Sequence, residues 1–315
     1  MTASAAGLAA ETTWGGEPLR FGQRAIYWVR IAAVKLQRLS STDGFVVRDV
    51  EGATTSSGVV RLAPKVLLDG AVLLARTVTY AFASFGVAEA AGASAGVNAK
   101  PEDRAQAWAA FLDEVRPLAE SGRLRLEPGL GTTVEDVTPL GWSEPDPTLL
   151  AAGAVAAAKV GGPLDWRTAA VVGSGPLVDA TTAALEEAGT TLVDGRFDAA
   201  CDVLFVAGKA GCLDHATAEG VKALVVVPLT PVPVTARALA VLGRADRIVV
   251  PDFLSTAAPL LATHDPDGGD PVQRIRDTTI AVAEQGAGMW LAAALQAEEF
   301  LSTWADEKPF GRPLA

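Results

Sequence analysis

Residues 169–194 constrain this chain more than any other stretch. Ala169, Ala170, Val171 and Val172 form a short apolar run, the pattern of a buried strand. Gly173-Ser174-Gly175-Pro176 then makes a tight turn, a helical stretch opens through Leu177 to about Glu187, and Ala188-Gly189 closes it. A second strand, Thr191-Leu192-Val193, ends on Asp194. Strand, glycine turn, helix, strand and acid in this order make a dinucleotide-binding arrangement. The glycines let a backbone approach a pyrophosphate, and the helix start presents the positive end of its dipole. Asp194 stands where an acid would hold a ribose hydroxyl; a 2′-phosphate would meet its charge, so NAD is expected over NADP. Val178 occupies the position of the third glycine. Two readings stay open: a bound NAD-type nucleotide, or a nucleotide-type fold that binds none.

The chain has 315 residues, enough for two domains, and half of them are hydrophobic, enough for a sizeable core. Its formal charge of −11 argues against nucleic acid or an anionic membrane as partner, since both need concentrated Lys and Arg. Cys201, Cys212 and His215 fit no metal-ligand spacing, so no metal is expected and the cysteines read as reduced thiols of a cytoplasmic protein. Met1 to Gly16 lacks the basic-then-apolar order of a signal peptide. The longest apolar candidate, Leu67 to Val87, is interrupted by Asp69 and Arg76, so no membrane span is expected.

The expected fold is α/β in two domains. Residues 1–20 read as a flexible tail, 21–146 as an N-terminal α/β substrate-type domain, and 147–265 as a Rossmann-like, doubly wound parallel sheet. Residues 266–315 carry one long helix, about Val272 to Trp304, that crosses back to the first domain. Phe45–Val50 and Gly58–Leu62 read as two strands of a hairpin turning through 51–57. Leu67 to Ser84 reads as a helix, Gly86 to Gly96 as a glycine- and alanine-rich loop, and Pro101 to about Val115 as a further helix. Apolar runs at 202–206, 223–227 and 247–250 continue the parallel sheet. Only Gly195–Ala200 separates its second and third strands, too short for a full crossover, so one helix–strand unit is expected to be lacking.

Several segments together resemble the glutamate/leucine/phenylalanine/valine dehydrogenase family. They are Gly58-Val59-Val60-Arg61-Leu62-Ala63-Pro64-Lys65-Val66, Val78-Thr79-Tyr80-Ala81, Gly92-Ala93-Ser94-Ala95-Gly96-Val97 and Gly131-Thr132-Thr133-Val134-Glu135-Asp136. The second half adds the glycine turn, Cys201-Asp202-Val203-Leu204 and Val249-Val250-Pro251-Asp252-Phe253-Leu254-Ser255-Thr256-Ala257. The resemblance implies a substrate domain, a Rossmann domain, a ligand cleft between them and a homo-oligomer formed through the first domain. Ile26, Trp28, Val29, Ile31 and Val34 offer either that oligomer contact or a core helix.

The resemblance also exposes departures. Ala81 stands where the family's carboxylate-binding lysine follows the Thr-Tyr pair. Ser94, or Ala93 with a shift of one residue, stands at the catalytic lysine. Ser57 replaces a further lysine of glutamate-type members, Gly129 replaces the proton-donating aspartate, and Thr256 aligns with the usual asparagine. Each acid–base group is worth about 10²–10⁴ in rate, and a serine hydroxyl cannot act as a cation or a lone general base. Ordinary oxidative deamination is therefore not expected. Glu89, the carboxylate of the glycine-rich loop, is the candidate replacement acid or base, with Ser94 beside it; a solvated glutamate and a space-filling serine are the plain alternatives. Arg61, Lys65, Tyr80, Asn98, Thr132 and Thr133 are candidates to hold a small-molecule ligand, Arg61 equally fitting a structural salt bridge. Gly173, Ser174, Gly175, Pro176, Leu177, Asp194 and Thr256 are candidates to hold the cofactor. His264, in a polar linker, reads as a surface histidine. Two functions remain: an oxidoreductase acting on an imine or amino-acid-like molecule, a chemistry that suits specialised metabolism, or a non-redox pseudoenzyme or binding protein on the same scaffold.

Overall fold

A computed structural model describes residues 34–165, 167–285 and 288–315, and the backbone of the strand pieces between Arg20 and Ile31. The expected tail, apart from the Arg20 backbone, and Ile26 lie outside the described residues.

The first half is built on a six-stranded mixed sheet. A small pair, β1 (Arg20–Phe21) and β2 (Arg24–Ala25), precedes it. Its strands are β3 (Trp28–Ile31), β4 (Val34–Arg38), β5 (Gly44–Arg48), β6 (Thr55–Ala63), β7 (Ala90–Asn98) and β8 (Arg125–Pro128), in the order β3-β4-β5-β7-β6-β8. Helix α1 (Leu68–Ser84) covers one face; α2 (Arg104–Glu120) covers the other, and α3 (Val134–Val137) follows β8. Three expectations change here. Residues 28–31 and 34–38 form an antiparallel strand pair, not a helix, and Val34 is buried with Phe45 and Val47. β-Branched and aromatic residues at alternate positions suit that pleated surface. The stretch Gly86–Gly96 is mostly a central strand, not a loop. β5 and β6 are not a hairpin, because β7 lies between them, antiparallel to β5 and parallel to β6. Alanine and glycine are poor strand formers, so the local signal is weak. The small residues serve the packing instead: a Cβ at Gly92 would overlap the carbonyl oxygen of Ala75 on α1.

Helix α4 (Pro147–Ala158) leads into the second half; Asp146 caps it by accepting from the Thr148 N–H at 2.9 Å. Five parallel strands follow: β9 (Thr168–Val172), β10 (Thr191–Val193), β11 (Val203–Val206), β12 (Val225–Pro228) and β13 (Ile248–Val249). Their order is β10-β9-β11-β12-β13. The sheet is interleaved with α5 (Pro176–Glu187), α6 (His215–Glu219) and α7 (Ala236–Arg244); α8 (Asp252–Ser255) and α9 (Ala258–His264) follow it. The chain passes from β10 to β11 without a strand or helix, so β10 is an edge strand, as the short 195–200 segment implied. The last stretch is two helices, α10 (Pro271–Ala283) and α11 (Met289–Leu301), not one. Gly288, with φ +78°, stands at the start of α11.

Helix α1 joins the halves. Its sheet side carries Ala71, Ala75 and Thr79, while Tyr80 and Ala81 enter the second half's core with Phe253 and Trp290. Thr77 Oγ1 donates to Asp252 Oδ2 at 3.2 Å, and the Val232 N–H donates to the same oxygen at 2.8 Å. Burial pushes the Asp252 carboxyl up to about 6. Among the described residues, no helix is long and apolar enough to cross a membrane, and no cluster of His, Cys, Asp and Glu could hold a metal ion. Both cysteines are free thiols.

Candidate functional site

The candidate site lies on the face of β6 and β8 that meets the end of α9. Register sets its floor. On β6, Ser57, Val59 and Arg61 alternate onto one face. Arg125 of β8 stands opposite Ser57, and Glu127 opposite Val59, so their side chains share that face. Val60 and Leu126 point the other way, into the core with Trp108 and Phe111.

His264, the last residue of α9, forms the roof. Its Nε2 lies 2.7 Å from Ser57 Oγ, and its ring meets Phe82 edge-on with centroids 5.1 Å apart. It is half-buried, not a surface histidine in a linker. Burial pulls its pKa down to about 4, aided by the Arg125 charge, so the imidazole is neutral at pH 7. The sequence carried no sign of this, because residues 57 and 264 meet only through the docking of the two halves.

Glu127 is the other residue that sequence reasoning passed over. It is largely covered, and burial pushes its carboxyl up to about 7; Arg125 opposes the shift and Glu144 adds to it. Arg61 lies alongside. Its Nη2 reaches the Leu67 carbonyl only at 3.5 Å, its buried Nε has no partner, and burial lowers its pKa. No salt bridge of Arg61 is present among the described residues, and a Cβ at Gly129 would stand 3.2 Å from its Cγ.

The other candidates divide. Ser94 stands opposite Val59 in the register of β7 on β6, is fully buried, and donates to the Val59 carbonyl at 3.2 Å. Glu89 is not brought to the cleft: it sits exposed in the turn before β7 with φ +57°, its carbonyl accepting from the Thr54 N–H. Tyr80 donates to Glu298 on α11 at 3.0 Å, and burial raises its pKa, with Glu298 adding. Asn98 Oδ1 accepts from the Val66 N–H at 2.7 Å. Thr132 Oγ1 clamps the 129–132 turn to the Val60 carbonyl, and the Thr133 N–H donates to Asp136 as a helix cap. Lys65 is exposed beyond the end of β6. These hydrogen bonds hold the scaffold and leave the Arg61 Nε and the Glu127 carboxyl of that face without a hydrogen-bond partner among the described residues.

The glycine turn lies at the carboxyl end of β9, where the strand order reverses toward β10 on one side and β11 on the other; such a switch point opens a crevice. Gly173, with φ +129°, lies so close to Ala207 that a Cβ would stand 2.5 Å from its carbonyl oxygen. Gly175, with φ +99°, would meet nothing within 4 Å. Ser174 and Pro176 are exposed beside it, and Leu177 lies half-buried in the first turn of α5. Asp194 is exposed in a recess of about 250 Å³ with Arg196, Asp198 and Lys222. Arg196 is held by Asp198 at 2.9 and 2.6 Å. Open space at Gly175 and the exposed Asp194 fit the pyrophosphate and one ribose of a dinucleotide. Among the described residues, no strand pairs with the outer edge of β10. Thr256 donates to the Asp252 carbonyl at 2.8 Å and ends α8.

Solved structures share this architecture. The hetero-hexameric glutamate dehydrogenase of Thermus thermophilus, in its leucine-bound form, matches with a TM-score of 0.69 at 20% identity over 85% of this chain and 84% of that one. The chain has the fold of the amino acid dehydrogenases. L-tryptophan dehydrogenase of Nostoc punctiforme matches at 0.67 and 18% identity, over 85% of this chain and 92% of that one. Glutamate dehydrogenase of Plasmodium falciparum matches at 0.65 and 14% identity, over 82% and 79%. No protein-family model matches the sequence, and no curated protein matches it either.

Proposed function

We propose that this protein is a nicotinamide-dependent oxidoreductase acting on an imine or amino-acid-like small molecule, and that it does not carry out ordinary oxidative deamination. The observation that carries the redox half is the glycine turn, open at Gly175 and placed at the switch point of the parallel sheet. Gly173, Ser174, Gly175, Pro176, Leu177 and Asp194 would hold the nucleotide, and Asp194 favours NAD. When bound, the nicotinamide supplies or accepts a hydride. The chain's own residues bind and orient the substrate in the cleft between the sheets. The absence of lysine at 57, 81 and 94 supports the second half of the reading: no ammonium is available there to polarise a carbonyl or activate water.

Thermal unfolding with each cofactor tests the reading. NAD at 100 times its Kd adds about 2.7 kcal/mol, with NADP weaker. Glutamate, leucine, phenylalanine and valine should give no reduction of either cofactor; robust reduction would overturn the loss of deamination. A non-redox binding protein on the same scaffold is favoured by one observation, the edge position of β10. Unchanged stability with both cofactors would put that reading first. We further propose a cytoplasmic homo-oligomer assembled through the first domain, with domains at 21–146 and 147–265. One protein of similar fold is itself a hexamer.

A further inference from the structure

We propose that Glu127 is the group that gives and takes the proton in this cleft, and that its ligand carries a carboxylate for Arg61, an assignment that rests on the oxidoreductase reading. The register of β8 on β6 places Glu127 on the face roofed by α9, two residues from Ser57's partner Arg125. Other carboxylates of this half have structural work. Asp49 holds Arg76 at 2.7 Å, Glu114 accepts from the Ser40 and Ser41 N–H groups, and Asp136 holds Arg104 at 2.6 Å. Glu127 accepts no hydrogen bond among the described residues, though it is largely covered.

The charges that act on it are Arg125 on its own strand and Glu144 in the segment before α4; Arg61 is the next residue after Val59 on the same face of β6, and α9 brings the neutral His264 onto Ser57 of that face. With its pKa at about 7, both protonation states are populated near neutral pH, the condition for acid–base work. Residue 129 cannot take the task. A Cβ there would stand 2.8 Å from the Val60 carbonyl oxygen and 3.2 Å from Arg61 Cγ. The next position on that face is 127. Arg61, with its unpartnered Nε, supplies a cation for a ligand carboxylate. A carboxylate and a nitrogen on one small molecule describe an imino acid and its amine. In reduction, the Glu127 O–H bond breaks and an N–H bond forms on the imine nitrogen lone pair, and the reduced nicotinamide, oxidised in turn, would supply the hydride whose electron pair makes the C–H bond as the C=N π pair passes to nitrogen. The carboxylate left behind regains its proton from water; oxidation reverses both steps.

The test uses the full chain. Carboxyl-carbon NMR of glutamate-labelled protein should show one resonance titrating near pH 7, lost in Glu127→Gln and kept in Glu144→Gln. Dicyclohexylcarbodiimide, which attacks protonated carboxyls in apolar recesses, should label Glu127 at pH 6 and spare it at pH 8.5. With cyclic imino acids and reduced nicotinamide cofactor, Glu127→Gln should lower kcat/KM about 10²–10⁴-fold and leave cofactor affinity unchanged, with partial rescue in Glu127→Asp. A Glu127 midpoint near the ordinary 4.5 overturns the proposal, as does an unchanged pH profile in Glu127→Gln. A neutral midpoint with labelling, but no turnover by the unaltered protein, supports the proton assignment and overturns the oxidoreductase reading instead.

Discussion

A methyl group added at Gly92 would overlap the carbonyl oxygen of Ala75, whereas one added at Gly175 would meet nothing within 4 Å. The first glycine lies in the middle of the mixed sheet, where α1 presses onto β7. The second lies at the carboxyl end of β9, facing open space. Both belong to segments rich in small residues, yet one keeps matter together and the other leaves room for it. Glycine-rich sequence therefore carries two opposite meanings in this molecule. In the mixed sheet the small side chains let a helix approach a strand. At the end of the parallel sheet they leave the backbone of the turn uncovered.

Substitutions can break or sharpen this contrast. Gly92→Ala should have the largest effect, a loss of about 3 kcal/mol or more, because the overlap is with backbone that cannot rotate away. Urea denaturation measures it, and a loss under about 1 kcal/mol would break the packing half of the comparison. Glu127→Gln comes next. Its folded pKa, about 7, lies above the ordinary 4.5, so the native state binds more protons between those values. Stability of the unaltered protein then falls as pH rises through that window, and the deficit is complete above pH 7. The variant should abolish the fall and gain on the order of 2 kcal/mol at pH 8.

Gly175→Ala should lose about 1–2 kcal/mol through its φ of +99° alone, since no contact opposes the methyl group. It should also remove most of the stabilisation by NAD; retention of full NAD response would show that the open turn is not the nucleotide cradle. Ser57→Ala and His264→Ala, combined in a double-mutant cycle, should couple by about 1 kcal/mol. His264 has its folded pKa, about 4, below the ordinary 6.5. The unfolded chain binds more protons in that window, so stability falls as pH drops from 6.5 toward 4, and His264→Gln should flatten this slope. Glu89→Gln, in an exposed turn, should stay within about 0.5 kcal/mol and leave any turnover unchanged.

Much of the second half was legible locally. Continuous apolar strands, the Gly173–Gly175 turn and the short 195–200 link each announce themselves within a few residues, and the parallel sheet follows. The first half was less legible. Alanine and glycine at 90–96 look like a loop because the strand is stabilised by its neighbours β5 and β6 rather than by its own propensity. The hairpin expected between residues 45 and 62 failed for the same reason: the strand that separates β5 and β6 was not visible. At the candidate site, Arg61, picked from its pattern, lies on the face of β6 that carries Ser57 and Val59, whereas Glu89, picked as the loop's carboxylate, sits exposed in the turn before β7.

The chain alone determined the α/β class, the run of parallel strands and the glycine turn followed, after one helix and one strand, by an acid. These depend on residue type and spacing along a few tens of residues. Only the tertiary structure decided that Glu127 shares a face with Arg61 and that His264 closes onto Ser57. Strand register and the docking of α9 bring those groups together. Burial, which sets their proton affinity, depends on surroundings contributed by distant parts of the chain.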